Sequence, residues 1–170
     1  MAKEKWRVIE FNIESTARTM AGVFPATIKS VKGEIVPNTL WIGTPRRHGV
    51  TLGYHADAGR YIDVEYCKEH DVEIARIFLG HGSAIYDKGN LLACIMCDRS
   101  KVKSKDLTNL YEEIVVPCAN AFNERFGVNA YYRPLNDIMV KDKKVSGFSF
   151  MMAEDKIYCP GFFQVKHPDV

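Results

Sequence analysis

The longest regular pattern in the chain is an apolar stripe between Lys105 and Phe126. Apolar side chains recur there at intervals of three and four residues, which predicts one amphipathic α-helix. Ser104 is suited to cap its first turn and Gly127 to end it, while Pro117 should bend it. Short β-prone runs stand before this helix, and several follow it. One long helix among many strands predicts an α+β architecture, a mixed, largely antiparallel sheet with helices packed on one face.

Shorter elements complete this prediction. A helix should open at Ser15 or Thr16 and run to about Lys32. Pro25 should kink or shorten it. A second short helix is indicated by helical spacing over residues 62–70. Strands are predicted over residues 6–11, 39–43, 49–54, 72–79, 91–97, 129–133, 136–140, 144–152 and 157–165.

Length and composition bound the class of protein. The 170 residues suit one domain with a sizeable core, and no linker or repeat divides them. A net charge of +2 gives no argument for a nucleic-acid partner. The N-terminus has no apolar signal segment, and no run is long enough to span a membrane. We therefore expect a soluble cytoplasmic protein without nucleic-acid or membrane partners. The basic residues Arg46-Arg47 and the cluster at 101–105 suggest a single-stranded nucleic-acid binder as a minor alternative. It is minor because such charges usually lie in solvated loops.

The five cysteines are an odd number at irregular spacings, which is not the pattern of a secreted disulfide framework. Cys94 and Cys97 form a C-x-x-C motif inside an apolar run that we interpret as a buried strand. Positions three apart on a strand point to opposite faces, so a shared metal is disfavoured. We expect buried thiols here rather than a metal or redox site.

Residues 76–91 form a second informative stretch. An apolar run ends in Gly80-His81-Gly82, and another apolar run follows. Glycines carry no β-carbon, so their N–H groups can line a carboxylate or a phosphate. On spacing alone, a glycine-containing hairpin without a ligand is the alternative. His81 has two interpretations: a base or ligand that projects into a cavity, or a side chain that fills volume.

Four segments resemble one known family. Residues 76–91 align without gaps to the pattern Arg-Arg-x-x-Gly-Gly-Gly-Ala-Val-x-His-Asp-x-Gly-Asn-Leu, and residues 49–54 are similar to that family's Val-Ser-Leu-Gly-Tyr strand. Residues 136–138 resemble its Asn-Asp-Ile motif, and residues 144–147 resemble its Lys-Ile-Ser-Gly motif. By these motifs the chain resembles a divergent member of the lipoate-protein ligase family, within the biotin/lipoate ligase and octanoyltransferase group.

The resemblance implies a fold like the biotin/lipoate ligase catalytic domain over residues 1–170. It implies a single domain without the C-terminal accessory domain of many ligases, a part that some members receive from a separate chain. In the implied reaction, ATP and lipoate give lipoyl-adenylate, with Mg²⁺ shared between phosphates and a carboxylate. The acyl group then passes to a lysine of a lipoyl-acceptor domain protein. Octanoate or a related carboxylate is the alternative substrate.

The same resemblance implies roles for individual residues. Lys144 matches the catalytic lysine, whose ammonium would offset charge on the phosphate and polarise the carbonyl. Asp87, Asn136 and Asp137 are implied to face the nucleotide. No separate metal site is predicted. Without the resemblance, Lys144 would be interpreted as an exposed lysine near a hairpin. The implied substrate-binding residues are Arg76, Gly80, His81, Gly82, Ser83, Tyr86, Ser146 and Gly147.

The chain departs from the family pattern within the implied pocket. Most of these changes remove a polar group that would hold a carboxylate, a phosphate or an adenylate, and a lost hydrogen bond to a charged group costs about 1.5–3 kcal/mol. The sequence therefore leaves open a non-catalytic protein of this fold that binds an acyl ligand or acts as a partner subunit. The altered positions are Ile77, Leu79, His81, Tyr86, Ser149, Met151 and Cys159-Pro160-Gly161.

Cys159 raises a further alternative. Octanoyltransferase relatives use a cysteine nucleophile, and Cys159 is the one cysteine that the alignment brings near the pocket. Pro160 and Gly161 suggest a turn, which would expose the thiol. A structural thiol is the other interpretation, and it is the one that we favour.

Overall fold

The computed structural model describes residues 5–14, 19–32, 36–80, 82–153 and 155–166. The strands are β1 (Arg7–Ile13), β2 (Thr39–Pro45), β3 (Gly49–Leu52), β4 (Glu73–Arg76), β5 (Ser83–Tyr86), β6 (Asn90–Asp98), β7 (Ala130–Arg133), β8 (Asp137–Val140), β9 (Lys143–Phe148), β10 (Met151–Ala153) and β11 (Lys156–Gln164). The α-helices are α1 (Phe24–Lys32), α2 (Ala58–Tyr61), α3 (Val64–Glu69) and α4 (Leu107–Phe126). A π-helical turn (Thr19–Val23) leads into α1, and a 3₁₀ turn (Arg99–Lys101) follows β6.

The strands form two sheets. The larger sheet has the order β1-β2-β6-β11-β9-β8-β7, with β10 paired to β11. Strands β1 and β2 run parallel, and the other neighbours in this sheet run antiparallel. The smaller sheet has the order β4-β3-β5, in which β3 is parallel to β4 and antiparallel to β5. The predicted α+β fold with a mixed, largely antiparallel sheet is confirmed.

Helices cover both faces of the larger sheet, so the expectation that they pack on one face is wrong. Strand β6 shows the reason, because its alternate residues enter two different cores. Cys94 packs with Trp41 and with Val31 of α1 in the first core. Cys97 packs with Leu110 of α4 in the second core. The predicted burial of these two thiols on opposite faces is confirmed.

The smaller sheet covers the same face of the larger sheet as α1. Tyr86 of β5 reaches into the first core, and so do Ile77 and Leu79 from the loop after β4. The strand predicted over residues 72–79 therefore ends early, because the chain leaves the smaller sheet to bury these two side chains. The run predicted over residues 144–152 is likewise divided, into β9 and β10.

Helix α4 begins at Leu107, slightly later than predicted. Asp106 caps it, and its carboxylate accepts a backbone N–H of the first turn at 3.0 Å. Ser104, the predicted cap, lies in the preceding loop, so that prediction is wrong. Gly127 ends the helix with a φ of 65°, a left-handed conformation that glycine adopts at little cost.

The first helical segment also differs from its prediction. The predicted start at Ser15 or Thr16 lies outside the described residues, and the π-helical turn is described from Thr19 onward. Pro25 is the second residue of α1, so the helical segment changes from π to α geometry directly before this proline. Of the helices in the described ranges, none is long and apolar enough to cross a membrane.

Candidate functional site

One row of cross-strand partners crosses the larger sheet on the face that carries α1. It begins with Arg133 of β7, whose partner in β8 is Asp137. Asp137 is paired with Gly147 of β9, and Gly147 with Phe162 of β11. Phe162 is paired with Leu92 of β6. Paired residues point to the same face of a sheet, so the row changes from charged side chains at one end to apolar side chains at the other.

Asp137 lies between two cations. Its Oδ1 is 2.7 Å from the Nζ of Lys144, and its Oδ2 is 2.5 Å from the Nη2 of Arg133. The Asp137 side chain is 10% exposed, whereas the two cationic side chains are each about half exposed. Burial alone would raise the pKa of Asp137, but hydrogen bonds and charges from Lys144 and Arg133 outweigh burial and lower that pKa. Asp137 is therefore an ionised carboxylate with both oxygens engaged. We refer to these three residues as the charged corner.

Gly147 makes room for the Lys144 side chain. A Cβ at position 147 would lie 3.0 Å from both Cε and Nζ of Lys144, and 3.7 Å from Oδ1 of Asp137. Carbon atoms that are not bonded to each other normally stay about 3.5–4.0 Å apart. The lysine can therefore lie across strand β9 and reach Asp137 because residue 147 has no side chain.

A cavity of about 370 Å³ lies over the part of this row that runs from Gly147 to Leu92. Among the residues that the structure describes, Lys144 is the one charged side chain on its wall. A mostly apolar cavity with one cation on its wall suits an anionic head group attached to an apolar chain. Its larger apolar residues are Met20, Ile77, Leu79, Ile85, Leu92, Phe148, Pro160 and Phe162. Its polar uncharged residues are Ser83, Tyr86, Tyr111, Asn136 and Ser149.

The aromatic ring of Phe148 lies over Gly161 of strand β11. A Cβ at position 161 would lie 2.5 Å from Cε1 of the Phe148 ring, so this ring occupies the space above Gly161. The ring also meets Phe163 edge-on, with 5.4 Å between centroids. Both Phe148 and Gly161 line the cavity, and the Phe148 ring itself packs in the second core.

We call residues 77–86 the glycine segment. Among its described residues, Ile77, Leu79, Gly80 and residues 83–86 form another part of the cavity wall. Ile77 and Leu79 are each 3% exposed and pack in the first core. Burial of Tyr86 raises the pKa of its hydroxyl group. The Tyr86 ring meets Phe162 edge-on at 5.3 Å between centroids. The glycine segment is thus fixed by apolar packing at positions where the family pattern has polar residues.

Six of the residues predicted to form the site line this one cavity. Asn136 is fixed by two contacts to Phe148: its Nδ2 donates to the carbonyl oxygen at 2.6 Å, and its own carbonyl accepts the N–H at 2.9 Å. A Cβ added to Gly80 would meet open space. His81 lies outside the described residues. The six residues are Gly80, Ser83, Tyr86, Asn136, Lys144 and Gly147.

Arg76 and Gly82 are placed beside the cavity wall rather than on it. The Arg76 guanidinium donates through Nη1 to three carbonyl oxygens of the loop after β3, at 2.7–3.1 Å. Those oxygens belong to Gly53, Tyr54 and Ala56. The carbonyl of Gly82 accepts the N–H of Gly53 at 2.9 Å. The described contacts of Arg76 therefore hold a loop in place.

Asp87 and Ser146 are buried and do not line the cavity. The Oδ1 of Asp87 accepts the N–H of Gly89 at 2.6 Å, and the N–H of Asp87 donates to Oδ1 of Asn90 at 2.7 Å. These bonds close the turn between β5 and β6. Ser146 is paired with Phe163, a residue of the second core, so it faces α4.

The structure does not support Cys159 as a nucleophile. The predicted turn at Pro160 and Gly161 is wrong, because β11 runs unbroken from Lys156 to Gln164. Cys159 is 1% exposed, and burial raises the pKa of its thiol well above the ordinary value. A buried thiol that resists deprotonation is a poor nucleophile. The structural interpretation of this cysteine is therefore the better one.

Several residues of the site were not found from the sequence. Arg133 had a partial signal, because a strand predicted to end at 133 and one predicted to begin at 136 bring it to the same turn as Asp137, and the observed register pairs the two. Met20, Tyr111 and Phe162 had none, because they come from distant segments that only the folded chain brings together.

Residues 26–167 match the protein family described as "Lipoyl protein ligase A/B catalytic domain". A Mycoplasma genitalium protein named "Probable lipoate-protein ligase A" is 26% identical over 115 residues, which cover 66% of this chain and 32% of that protein. This chain spans about a third of the length of the curated relatives that it matches.

Solved structures resemble this fold closely. A lipoate-protein ligase A bound with ATP has a TM-score of 0.84 at 20% identity, over 96% of this chain and 68% of that one. A Thermoplasma acidophilum protein described as a lipoate protein ligase, with bound lipoic acid, has a TM-score of 0.81 at 18% identity, over 96% and 70%. A structure described as a bi-partite lipoate protein ligase and its E2 lipoyl domain, from the same organism, has a TM-score of 0.79 at 17% identity, over 98% and 64%.

Identities this low establish the fold alone, whereas the family match extends over most of the chain and includes every residue of the charged corner. This chain belongs to the lipoyl protein ligase A/B catalytic domain family.

Proposed function

We propose that this chain is a lipoate-protein ligase that activates lipoate, or a related acyl acid, with ATP and transfers the acyl group to a lysine of a lipoyl-acceptor domain. The observation that carries the proposal is the Lys144 ammonium on the wall of a largely apolar cavity. Support comes from two solved relatives, one described as bound with ATP and one with bound lipoic acid.

In the proposed first step, an oxygen of the lipoate carboxylate bonds to the α-phosphorus of ATP, and the bond from that phosphorus to pyrophosphate breaks. In the second step, the amine of an acceptor lysine bonds to the acyl carbon, AMP leaves with the electron pair, and the amine loses a proton. Lys144 donates hydrogen bonds to the oxygens on which negative charge develops, which is where fixed donors lower a barrier most.

The other cavity residues would orient the substrate. Met20, Leu79 and Phe162 give the acyl chain an apolar surface, while Gly80 allows close approach of the backbone. Asp137 would act through Lys144, since both of its oxygens are already engaged by cations. We do not assign ligand contacts to Arg76 or Asp87.

The described part of the chain builds no protein cage for magnesium. It holds no group of three or more His, Cys, Asp or Glu side chains placed to bind a metal ion. A magnesium ion that enters with ATP would be held mainly by phosphate oxygens and water, which is common for this ion. The magnesium ion would neutralise part of the negative charge of the phosphates.

The test is an assay of the purified chain with ATP, Mg²⁺, lipoate and a lipoyl domain, followed by mass spectrometry of lipoyl-adenylate and of the modified domain. Lys144→Met should lower the rate about 10²–10³-fold, the usual effect of removing a fixed donor to developing charge. Lys143→Met is the matched control, because Lys143 is exposed on the same strand and does not line the cavity. Equal rates for the two variants would exclude the proposed role of Lys144.

A second candidate is a non-catalytic protein that binds an acyl ligand or serves as a partner subunit. The observation that favours it is the burial of Ile77 and Leu79 at positions where the family pattern has polar groups. Calorimetry separates the two candidates: heat with lipoate, no heat with ATP and no acyl transfer would select this one. Formation of lipoyl-adenylate would select the first.

We further propose two partners, a protein with a lipoyl-acceptor domain and a separate accessory ligase chain. Support comes from the solved relative described as a bi-partite ligase with its E2 lipoyl domain.

A further inference from the structure

We infer that Arg133 is a positioning residue that makes the cavity select an anionic ligand, because it takes up the charge of Asp137 and leaves the charge of Lys144 for the ligand. This inference deepens the proposed function and rests on it for the identity of the ligand. Arg133 does not line the cavity, so it would act through Asp137.

The backbone fixes this arrangement before any ligand is considered. Arg133 and Asp137 are cross-strand partners at the ends of β7 and β8, and the turn between them is short. Cross-strand partners share one face of the sheet, so the guanidinium meets the carboxylate at 2.5 Å. Gly147 is the next residue in the row and admits Lys144 to the other carboxylate oxygen at 2.7 Å.

The charges of this group decide what the cavity attracts. Two cations and one carboxylate leave the charged corner with a net charge of +1. Without Arg133 the net charge would be zero, because Asp137 alone would balance Lys144. With Arg133 present, a carboxylate or phosphate at the cavity wall finds an ammonium whose charge is only partly satisfied.

Both oxygens of Asp137 are also occupied. An incoming anion therefore meets the N–H donors of Lys144, while Arg133 holds the other oxygen of the Asp137 carboxylate. A neutral ligand of the same shape gains little from this arrangement, so the effect of Arg133 should appear as discrimination between charged and neutral ligands.

The test is calorimetric titration with lipoate and with lipoamide, a neutral analogue of similar shape. In Arg133→Met we expect lipoate affinity to fall about three- to tenfold, the size expected for one unit charge at a partly solvated site, and to recover in Arg133→Lys. Lipoamide affinity should stay within about twofold, and the lipoate loss should shrink at high salt.

Arg46→Met is the matched control, because Arg46 is about as exposed as Arg133, pairs with Glu14 at 2.7 Å and does not line the cavity. It should leave both affinities unchanged. Equal loss of lipoate and lipoamide affinity in Arg133→Met would mean that Arg133 only supports the fold, and no loss of either would mean that its charge does not reach the ligand. Either result overturns the inference.

Failure of the proposed function is recognised separately. If the unaltered chain binds neither compound, the proposed ligand is wrong, and the charge coupling is then decided by NMR titration of the Asp137 carboxyl carbon. A rise of the Asp137 pKa in Arg133→Met, with none in Arg46→Met, would support the coupling, and an unchanged pKa would overturn it.

Discussion

Lys144 of the charged corner and residues of the glycine segment line the same cavity, but the two regions are held in place by different forces. In the charged corner, polar groups satisfy one another, and Lys144 and Arg133 remain half exposed. In the glycine segment, Ile77 and Leu79 are almost fully buried and belong to the core. The charged corner should therefore be sensitive to substitutions that change charge, and the glycine segment to substitutions that change side-chain volume. Substitutions should separate binding from stability along the length of a single cavity.

The largest expected effect tests the glycine segment as part of the core. Leu79→Ala should lower the free energy of unfolding by about 2–5 kcal/mol, since it removes a fully buried side chain and leaves a cavity. Ile85→Ala is the control in the same segment, because Ile85 is 55% exposed, and its cost should stay below about 1 kcal/mol. Urea unfolding measures both. Equal costs would mean that burial does not distinguish these positions.

A smaller loss of stability is expected for Arg76, a polar residue next to the glycine segment that holds the loop after β3 in place. Arg76→Met removes the donor for three loop carbonyl oxygens and should cost about 1–3 kcal/mol of unfolding free energy. Lipoate affinity should change little, because the cavity wall does not include Arg76. A variant with normal stability and lost lipoate binding would instead place Arg76 in the binding site.

The charged corner predicts a pH-dependent contribution to stability. The pKa of Asp137 is lowered in the folded state, so its charge stabilises the fold above the ordinary Asp pKa of about 3.9. This stabilisation is lost as the pH falls through the lowered pKa. Asp137→Asn should therefore cost about 1 kcal/mol at neutral pH, and the difference from the unaltered chain should shrink in acid.

Urea unfolding at neutral and acid pH measures this difference. Asp142→Asn is the control, because Asp142 is exposed in the turn between β8 and β9, and its effect should stay within about 0.5 kcal/mol. A cost for Asp137→Asn that is the same at both pH values would show that the carboxylate charge does not stabilise the fold.

The smallest loss of stability should follow removal of the Tyr86 hydroxyl group, a polar group within the apolar glycine segment. The Tyr86 hydroxyl lies 3.4 Å from Oγ1 of Thr51, a long contact for a hydrogen bond. Tyr86→Phe keeps the ring packing against Phe162 and should cost about 0.5 kcal/mol or less. Thermal unfolding measures this change. A cost above about 2 kcal/mol would show that the hydroxyl, and not the ring, fixes this part of the wall.

Local sequence patterns predict most of the elements but not their arrangement. The stripe that predicts α4 and the capping glycine at Gly127 depend on neighbours within a few turns, so the sequence alone is sufficient. Helices cover both faces of the larger sheet because segments far apart in the sequence cross it on opposite sides. Local periodicity does not predict this arrangement. The strand predicted over 157–165 is confirmed, whereas the turn inferred from Pro160 and Gly161 is wrong because pairing with β6 overrides a local signal.

The motifs locate the cavity but do not separate ligand contacts from supporting contacts. Lys144 and Gly80 lie on the cavity wall. Arg76 and Asp87 belong to the same family motifs, yet their side chains form hydrogen bonds with backbone groups of a loop and a turn. Arg133 is absent from the motifs and becomes visible only through its cross-strand register. A motif identifies which residues belong together, and the contacts of each residue are needed to say what it does.

The crossing of Phe148 over Gly161 makes these two positions interdependent. Any side chain at 161 would displace the aromatic ring, and a smaller residue at 148 would be needed to accommodate it. Exchanging bulk between the two strands would change the packing of the second core, to which the Phe148 ring belongs, and leave the charges of Lys144, Asp137 and Arg133 unaltered. Among related sequences, the sizes of these two residues should therefore vary inversely.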